Sequence, residues 1–234
     1  MVFVNLSSCL VVFLCWFFIT LLSAPSVVHS LAAQPQVNRK AVMTAAAIEF
    51  VKNRNPAEAL SLYNNLPASP YLWQRGLVAY CASEFEVAGK QFRFDRSVNG
   101  GDGEEALWEC ASLARLNRPR SELLDSLPPK GLSSNDPRAV IRDSVKLYYD
   151  FLSLPPDSSP APLVEKLLTS SNIETDGDKT RFYADLYVAL FYESLCPSPT
   201  LARSYLAQAL NTAYGKSSND FMVATADNMN RNKS

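Results

Sequence analysis

Histidine is nearly absent: the 234 residues hold one, His29, and it lies in a segment expected to be cleaved off. A mature chain without histidine excludes Ser-His-Asp and Cys-His nucleophilic sites, histidine-ligated zinc and the two-histidine helix of metalloproteases. Carboxylate or lysine chemistry stays open. A dominant charge is lacking too, since 22 Lys+Arg against 23 Asp+Glu leave a net charge of -1, and the basic stripe of a nucleic-acid binder is missing. Glycine is scarce at 8 residues, and charged residues make up 19% of the chain against the usual ~25%. With alanine frequent, that balance favours compact helices over turn-rich sheet, so the expected fold class is all-α. Cysteine is sparse as well: of 5, Cys9 and Cys15 fall in the N-terminal segment, leaving Cys81, Cys110 and Cys196. An odd set of this kind is no disulfide framework. Each of the three lies within or at the end of an apolar helical stretch, the usual place of a buried thiol, although a single Cys81–Cys110 bridge stays open.

What is present begins with an apolar leader. Met1 to Gln34 carry no Lys, Arg, Asp or Glu, and Leu10 to Leu22 form one apolar run. That length suits the ~7–15 residue h-region of a signal peptide better than the ~20 residues that span a bilayer. Val28 and Ser30 supply a cleavage site, or Leu31 to Ala33 slightly later. The cationic n-region is missing, so an uncleaved anchor remains the alternative. Leu31 to Ile48 has Arg39 and Lys40 but no acid before Glu49. A signal peptide followed by such a segment resembles the bipartite leader of algae with secondary plastids, which implies entry to the secretory route with a plastid as one destination. Arg39 to Val51 reads equally as the first helix of the folded domain. The expected division is a leader over 1–33, a linker over 34–40, a helical domain over 41–229 and a disordered tail over 230–234.

Apolar spacing in the mature chain follows the helical interval, and prolines cut it into helix-sized pieces. Helices are expected at Ala41–Lys52, Ala57–Leu66, Tyr71–Ala82 and Phe85–Val98. The last of these should end at Asn99-Gly100-Gly101-Asp102-Gly103, where glycines can accept positive φ. Glu104–Leu116 and Ser121–Leu127 follow. Asp136 then reads as an N-cap, with Pro137 at the first helical position and a stripe of Val140, Ile141, Ser144, Val145, Leu147, Tyr148, Phe151 and Leu152. Leu163–Leu168 is short, Lys179–Leu195 is apolar nearly all round and belongs in the interior, Thr200–Tyr214 should stop at Gly215, and Asp220–Met229 is last.

The helix pairs repeat. Leu72-Trp73-Gln74-Arg75-Gly76-Leu77-Val78-Ala79 aligns with Leu107-Trp108-Glu109-Cys110-Ala111-Ser112-Leu113-Ala114 at an offset of 107 minus 72, or 35 residues. Gly76 and Ala88 are small where two helices would cross, with Tyr80, Phe85 and Phe92 filling the wedge beside them. On these residues the chain resembles the tetratricopeptide repeat, whose period is ~34. Leu186, Ala189, Tyr192, Ala202, Leu206 and Ala209 form a second match, with a proline-rich insertion at its turn. Asp95 stands where the family usually has Ala, and Gly100 where it has Pro. The stretch Gly89 to Asn99 with Glu104, Glu105 and Trp108 further resembles tetratricopeptide-like proteins of unknown role in photosynthetic eukaryotes and bacteria. The resemblance covers roughly Ala57 to Tyr214. It implies a short right-handed array of antiparallel helix pairs, an α-solenoid, acting as a non-enzymatic scaffold.

In that family the first helices line a concave face that commonly takes an extended peptide or a partner helix. Trp73, Leu77, Tyr80, Trp108, Tyr183 and Tyr187 are the candidates to line it here, or else they fill the core between helices. The expected partner is a protein or peptide in that groove, with no nucleic acid and no membrane once the leader is gone. Asp102, Glu104 and Glu105 crowd together but lack the alternating ligand spacing of a calcium loop, and read as a solvated helix start. Arg93 or Arg96 is expected to pair with Asp95, Glu104 or Glu105 between repeats. No glycine-rich phosphate loop, paired-cysteine motif or Gly-x-Ser-x-Gly elbow occurs. No catalytic, cofactor-binding or metal-ligating residue is therefore assigned. The alternatives are an enzyme using carboxylates on a helical array and an adaptor tethered by an uncleaved leader.

Overall fold

The computed structural model describes residues 38–129, 136–170 and 177–231, all within the unit Val37–Ser234. The expected leader and its cleavage site lie outside the described residues. Among the described residues the chain forms twelve α-helices and no strand. They are α1 (Arg39–Val51), α2 (Pro56–Tyr63), α3 (Trp73–Cys81), α4 (Phe85–Val98), α5 (Gly103–Arg115), α6 (Arg120–Asp125), α7 (Ala139–Ser153), α8 (Ala161–Leu168), α9 (Asp178–Ser194), α10 (Pro199–Asn211), α11 (Ala213–Ser217) and α12 (Phe221–Arg231). None of them is long and apolar enough to cross a membrane.

Capping chemistry explains several starts. The Asn38 side chain accepts from Ala41 N at 3.1 Å, so α1 begins at Arg39 and takes in two residues expected to be linker. Asn55 accepts from Glu58 N at 3.1 Å with Pro56 at the first helical position, where a missing N–H costs nothing. At the other end α12 runs through Arg231, two residues into the expected tail.

The first six helices are three antiparallel hairpins that turn by one device. Arg54, Ser83 and Asn117 each follow a first helix with φ of 55°, 64° and 54°. After the second and third, Glu84 N donates to Ala79 O at 2.9 Å and Arg118 N to Leu113 O at 3.1 Å, the Schellman closure. The first is one residue wider, with Asn55 N donating to Glu49 O at 3.0 Å. Ser83 and Asn117 are 34 residues apart, since 117 minus 83 is 34. The glycines of 100–103, expected to take positive φ, do not; among the described glycines only Gly177 does, at 80°. Gly103 serves close approach instead, because a Cβ there would meet Ile141 Cγ2 at 3.0 Å and Val145 Cγ2 at 3.2 Å. It lets the start of α5 rest on α7.

Within the second hairpin Gly76 faces the Phe92 ring, and a Cβ on Gly76 would lie 2.6 Å from Phe92 Cζ. All eight stripe residues expected on α7 are buried. Asp136, however, does not begin that helix, whose N-cap is Arg138. Its Oδ2 accepts from Gly103 N at 3.1 Å, so it caps α5 across the fold. Thr212, not Gly215, ends α10, and its hydroxyl accepts from Gly215 N at 2.9 Å inside α11. The ion pair of Arg93 and Arg96 forms with Glu109 of α5, one turn inside the expected acids: Arg93 Nε is 2.7 Å and Arg96 Nη1 2.5 Å from its carboxylate. Glu109 is buried, while Asp95 accepts from Leu72 N at 3.3 Å and from Gln91 Nε2 at 2.9 Å. Cys110 is a buried free thiol, pushed up to about 12 by burial, so the Cys81–Cys110 bridge is not formed.

The C-terminal helices pack on these hairpins. Interior α9 meets α5, α7 and α10, and the Tyr148 hydroxyl of α7 donates to Tyr187 O at 3.1 Å. Leu186, Ala189, Tyr192, Ala202, Leu206 and Ala209 are all buried, most of them between α9 and α10. Helix α12 returns to α1. Phe221 stacks on Phe50 of α1 with ring centroids 4.6 Å apart and meets Trp73 of α3 edge-on at 5.7 Å. In an array whose repeats touch only neighbours, α12 would not reach α1.

The Gly76–Phe92 approach yields the first expectation. Gly76→Ala overpacks a closed wedge and lowers stability by about 1–3 kcal/mol. Combining it with Phe92→Leu, which makes room, costs less than the sum of the two single changes in a urea double-mutant cycle. Simple additivity would show that the two sites do not touch.

Candidate binding cleft

One cleft gathers residues from most of the fold: Trp73 and Leu77 from α3, Phe92 from α4, Glu104, Glu105 and Trp108 from α5, and Tyr183 from α9. Asp102 and Arg138 enter from the residues that cap α5 and α7, Asp220 from the turn before α12, and Met222 from α12 itself. Its volume is about 330 Å³, near the lower end of the ~300–1,000 Å³ typical of ligand pockets.

Trp108 sets the floor. It is 1% exposed, and its ring centroid lies 5.1 Å from Tyr80, 6.2 Å from Phe92 and 6.5 Å from Tyr187. Residues three and four positions before it share its helix face, so Glu105 and Glu104 turn inward with it. Of the six expected groove residues, Trp73, Leu77, Trp108 and Tyr183 line this one cleft. Tyr80 and Tyr187 stand behind it, 2% and 0% exposed. Tyr80 packs edge-on to Phe85 and Trp108, and the Tyr187 hydroxyl donates to Glu104.

The acids around the cleft are the part that sequence reasoning missed, having read Asp102, Glu104 and Glu105 as a solvated helix start. Arg138 binds three of them: Asp102 at 2.9 Å, Asp136 at 2.9 Å, and Glu104. Burial works against Asp136, but hydrogen bonds from Arg138 and Gly103 N together with the guanidinium charge hold its carboxyl below the ordinary range. Burial raises Glu104 in spite of Arg138 and Tyr187. Asp220 accepts from Met222 N at 2.8 Å and from the Tyr214 hydroxyl. Glu105 stands apart. It is 6% exposed, its Oε2 is buried with no hydrogen-bond partner, and the buried Nε1 of Trp108 beside it has none either. Burial first, then Asp102, Asp95 and Glu104, push Glu105 up to about 8 against the weak opposition of Arg96.

The sequence did carry a signal for these acids, because placing Trp108 on an inward face places 104 and 105 there as well. Arg138 and Asp220 had none, since their positions depend on where distant helices pack. Chemically, the cleft offers aromatic and aliphatic walls, one guanidinium already engaged by carboxylates, and a buried carboxyl that lacks a partner. Among the described residues no group of three or more Cys, Asp or Glu side chains is placed to hold a metal ion.

Comparison with known proteins finds no matching family model, no matching curated protein and no matching solved structure.

Glu105 makes stability depend on pH in a defined direction. An ordinary glutamate ionises near 4.5, and Glu105 in the fold near 8, so between those values the folded chain holds a proton that the unfolded chain has released. Stability contributed here falls as pH rises through that window and levels off above it. Glu105→Gln removes the slope: variant and parent coincide near pH 4.5, and the variant is the more stable at pH 8.5 by urea unfolding. A difference that does not change with pH overturns the assignment.

Proposed function

We propose that this chain is a non-enzymatic interaction scaffold of the tetratricopeptide type, and that a segment of a partner protein enters the cleft between α3, α5, α9 and α12. Three hairpins with a common left-handed turn, and a glycine–aromatic crossing in the second, support the repeat. The observation that carries the binding role is the cleft, which four of the six expected groove residues line. Because α12 lies against α1 and α3, the partner has a pocket to fill and no long open groove. A space of about 330 Å³ suits one or two side chains.

A second reading, an enzyme using Glu105 as general acid–base, is favoured by that carboxyl's raised ionisation and missing partner. The two differ in what Glu105→Gln does. For an enzyme it removes turnover and leaves ligand binding, whereas for a scaffold it weakens binding itself.

We further propose that residues 1–33 are a secretory leader, with a plastid as one destination, on the strength of the apolar run Leu10 to Leu22. Mass spectrometry of the protein from its own cells should read a mature N-terminus within Leu31 to Gln34. An intact Met1 supports the tethered adaptor instead.

Photo-cross-linking tests the cleft. A photoreactive aromatic residue at Trp73 or at Tyr183, both half-buried, should capture a common partner in cells, while the same residue at exposed Leu201 of α10 should not. Equal capture at all three positions, or none, overturns the proposal.

A further inference from the structure

Charge around the cleft is one-sided. Five carboxylates, those of Asp102, Glu104, Glu105, Asp136 and Asp220, surround or adjoin it, and one guanidinium, Arg138, answers them. Arg138 is already bound to Asp102, Glu104 and Asp136. Asp220 is satisfied by a backbone amide and a tyrosine hydroxyl. The remaining carboxyl, Glu105, is more than nine-tenths buried and its Oε2 has no partner, which in a protein interior is a cost the fold does not offset by itself. An anionic ligand would meet repulsion, and a neutral apolar one would leave Glu105 as it is. No group of three or more Cys, Asp or Glu side chains among the described residues is placed to ligate a metal ion, so a divalent cation lacks its ligand set. An organic cation fits, because aromatic faces attract it while a buried carboxylate neutralises it.

We propose that the cleft holds the ammonium group of a lysine side chain on the partner segment, with Glu105 as its counter-charge and Trp73, Trp108 and Tyr183 as its walls. This rests on the cleft being the partner site. The volume of about 330 Å³ takes one long side chain with its terminal charge and excludes an extended peptide. The charged and titratable groups facing Glu105 are Asp95 and Arg96 on α4, Asp102 and Glu104 at the start of α5, Arg138 before α7, Tyr183 on α9 and Asp220 before α12. Near neutral pH Glu105 carries a proton, so an incoming ammonium displaces it. Binding therefore weakens about tenfold for each pH unit below 8 and levels off above it.

Calorimetric titration of the full chain with n-butylammonium chloride, set against sodium butyrate, tests this. Butylammonium should bind at pH 8, butyrate should not, and the butylammonium dissociation constant should rise about tenfold from pH 7 to pH 6. Glu105→Gln, close in shape and free of a buried charge, should lose at least tenfold. Trp73→Leu, on a half-buried wall, should weaken binding while the thermal transition is retained. Equal binding of butyrate, a constant affinity from pH 6 to 8, or parental binding by Glu105→Gln overturns the proposal. Nα-acetyl-lysine methylamide, added before irradiation, should prevent the cross-link to the partner at Trp73, and its Nε-acetylated form should not. Binding of butylammonium that the lysine amide cannot match points to a free small amine and overturns the lysine assignment. If cross-linking at Trp73 and Tyr183 survives both butylammonium and Glu105→Gln, the ammonium falls and the cleft stands. If no cross-link forms at either position, the cleft itself falls.

Discussion

The ring of Trp108 is where four helices meet. Tyr80 on α3, Phe92 on α4 and Tyr187 on α9 all lie against it, and its own helix, α5, can hold it there in only one rotational setting. Burying a ring of this size is worth about 4–6 kcal/mol by area. That setting also turns Glu104 and Glu105 inward, one turn before the ring. Keeping Glu105 protonated at pH 7, given an ordinary value of 4.5, costs about 3 kcal/mol. The aromatic term is the larger, so the helix keeps its register and the carboxyl goes without a partner. An unpaired carboxyl oxygen beside an apolar floor is the direct result of that competition.

The second constraint is the return of α12. Phe221 lies against Phe50 and Trp73, the Asn228 amide donates to Phe50 O at 3.3 Å, and Arg54 pairs with Asp227 at 2.6 Å. Arg54 is also the residue in left-handed conformation at the first hairpin turn, so the contact that closes the molecule is made from the same position that reverses the chain. With the last helix set against the first and third, part of the surface that stacked hairpins would present is taken up internally. What stays open is lined by Trp73, Asp220 and Met222 among others.

Much of this was legible beforehand, and the reason differs by residue. The stripe from Val140 to Leu152 and the all-round apolar character of α9 are local patterns that any buried helix must show, and both segments are buried. The small residue at Gly76 and the ring at Phe92 are complementary within one hairpin, so their contact follows from the sequence of that hairpin. Asp136 misled in part: its Oδ1 does accept from Arg138 N at 2.9 Å, as a capping side chain would, but the helix starts later, at Ala139, and its Oδ2 also reaches the distant Gly103 N. Gly100 and Gly101 misled because glycine permits positive φ without requiring it, and the hairpins place that strain at Arg54, Ser83 and Asn117, where the closing hydrogen bonds stabilise it.

By itself, the order of residues determined the helices and the hairpin pairing, since these depend on periodicity, proline and size over short separations. Only the tertiary structure decided that Arg138 would be engaged by Asp102, Glu104 and Asp136, and that α12 would come back to α1. Those outcomes depend on the dielectric and steric surroundings that helices far apart in sequence create for one another, and no local pattern encodes them.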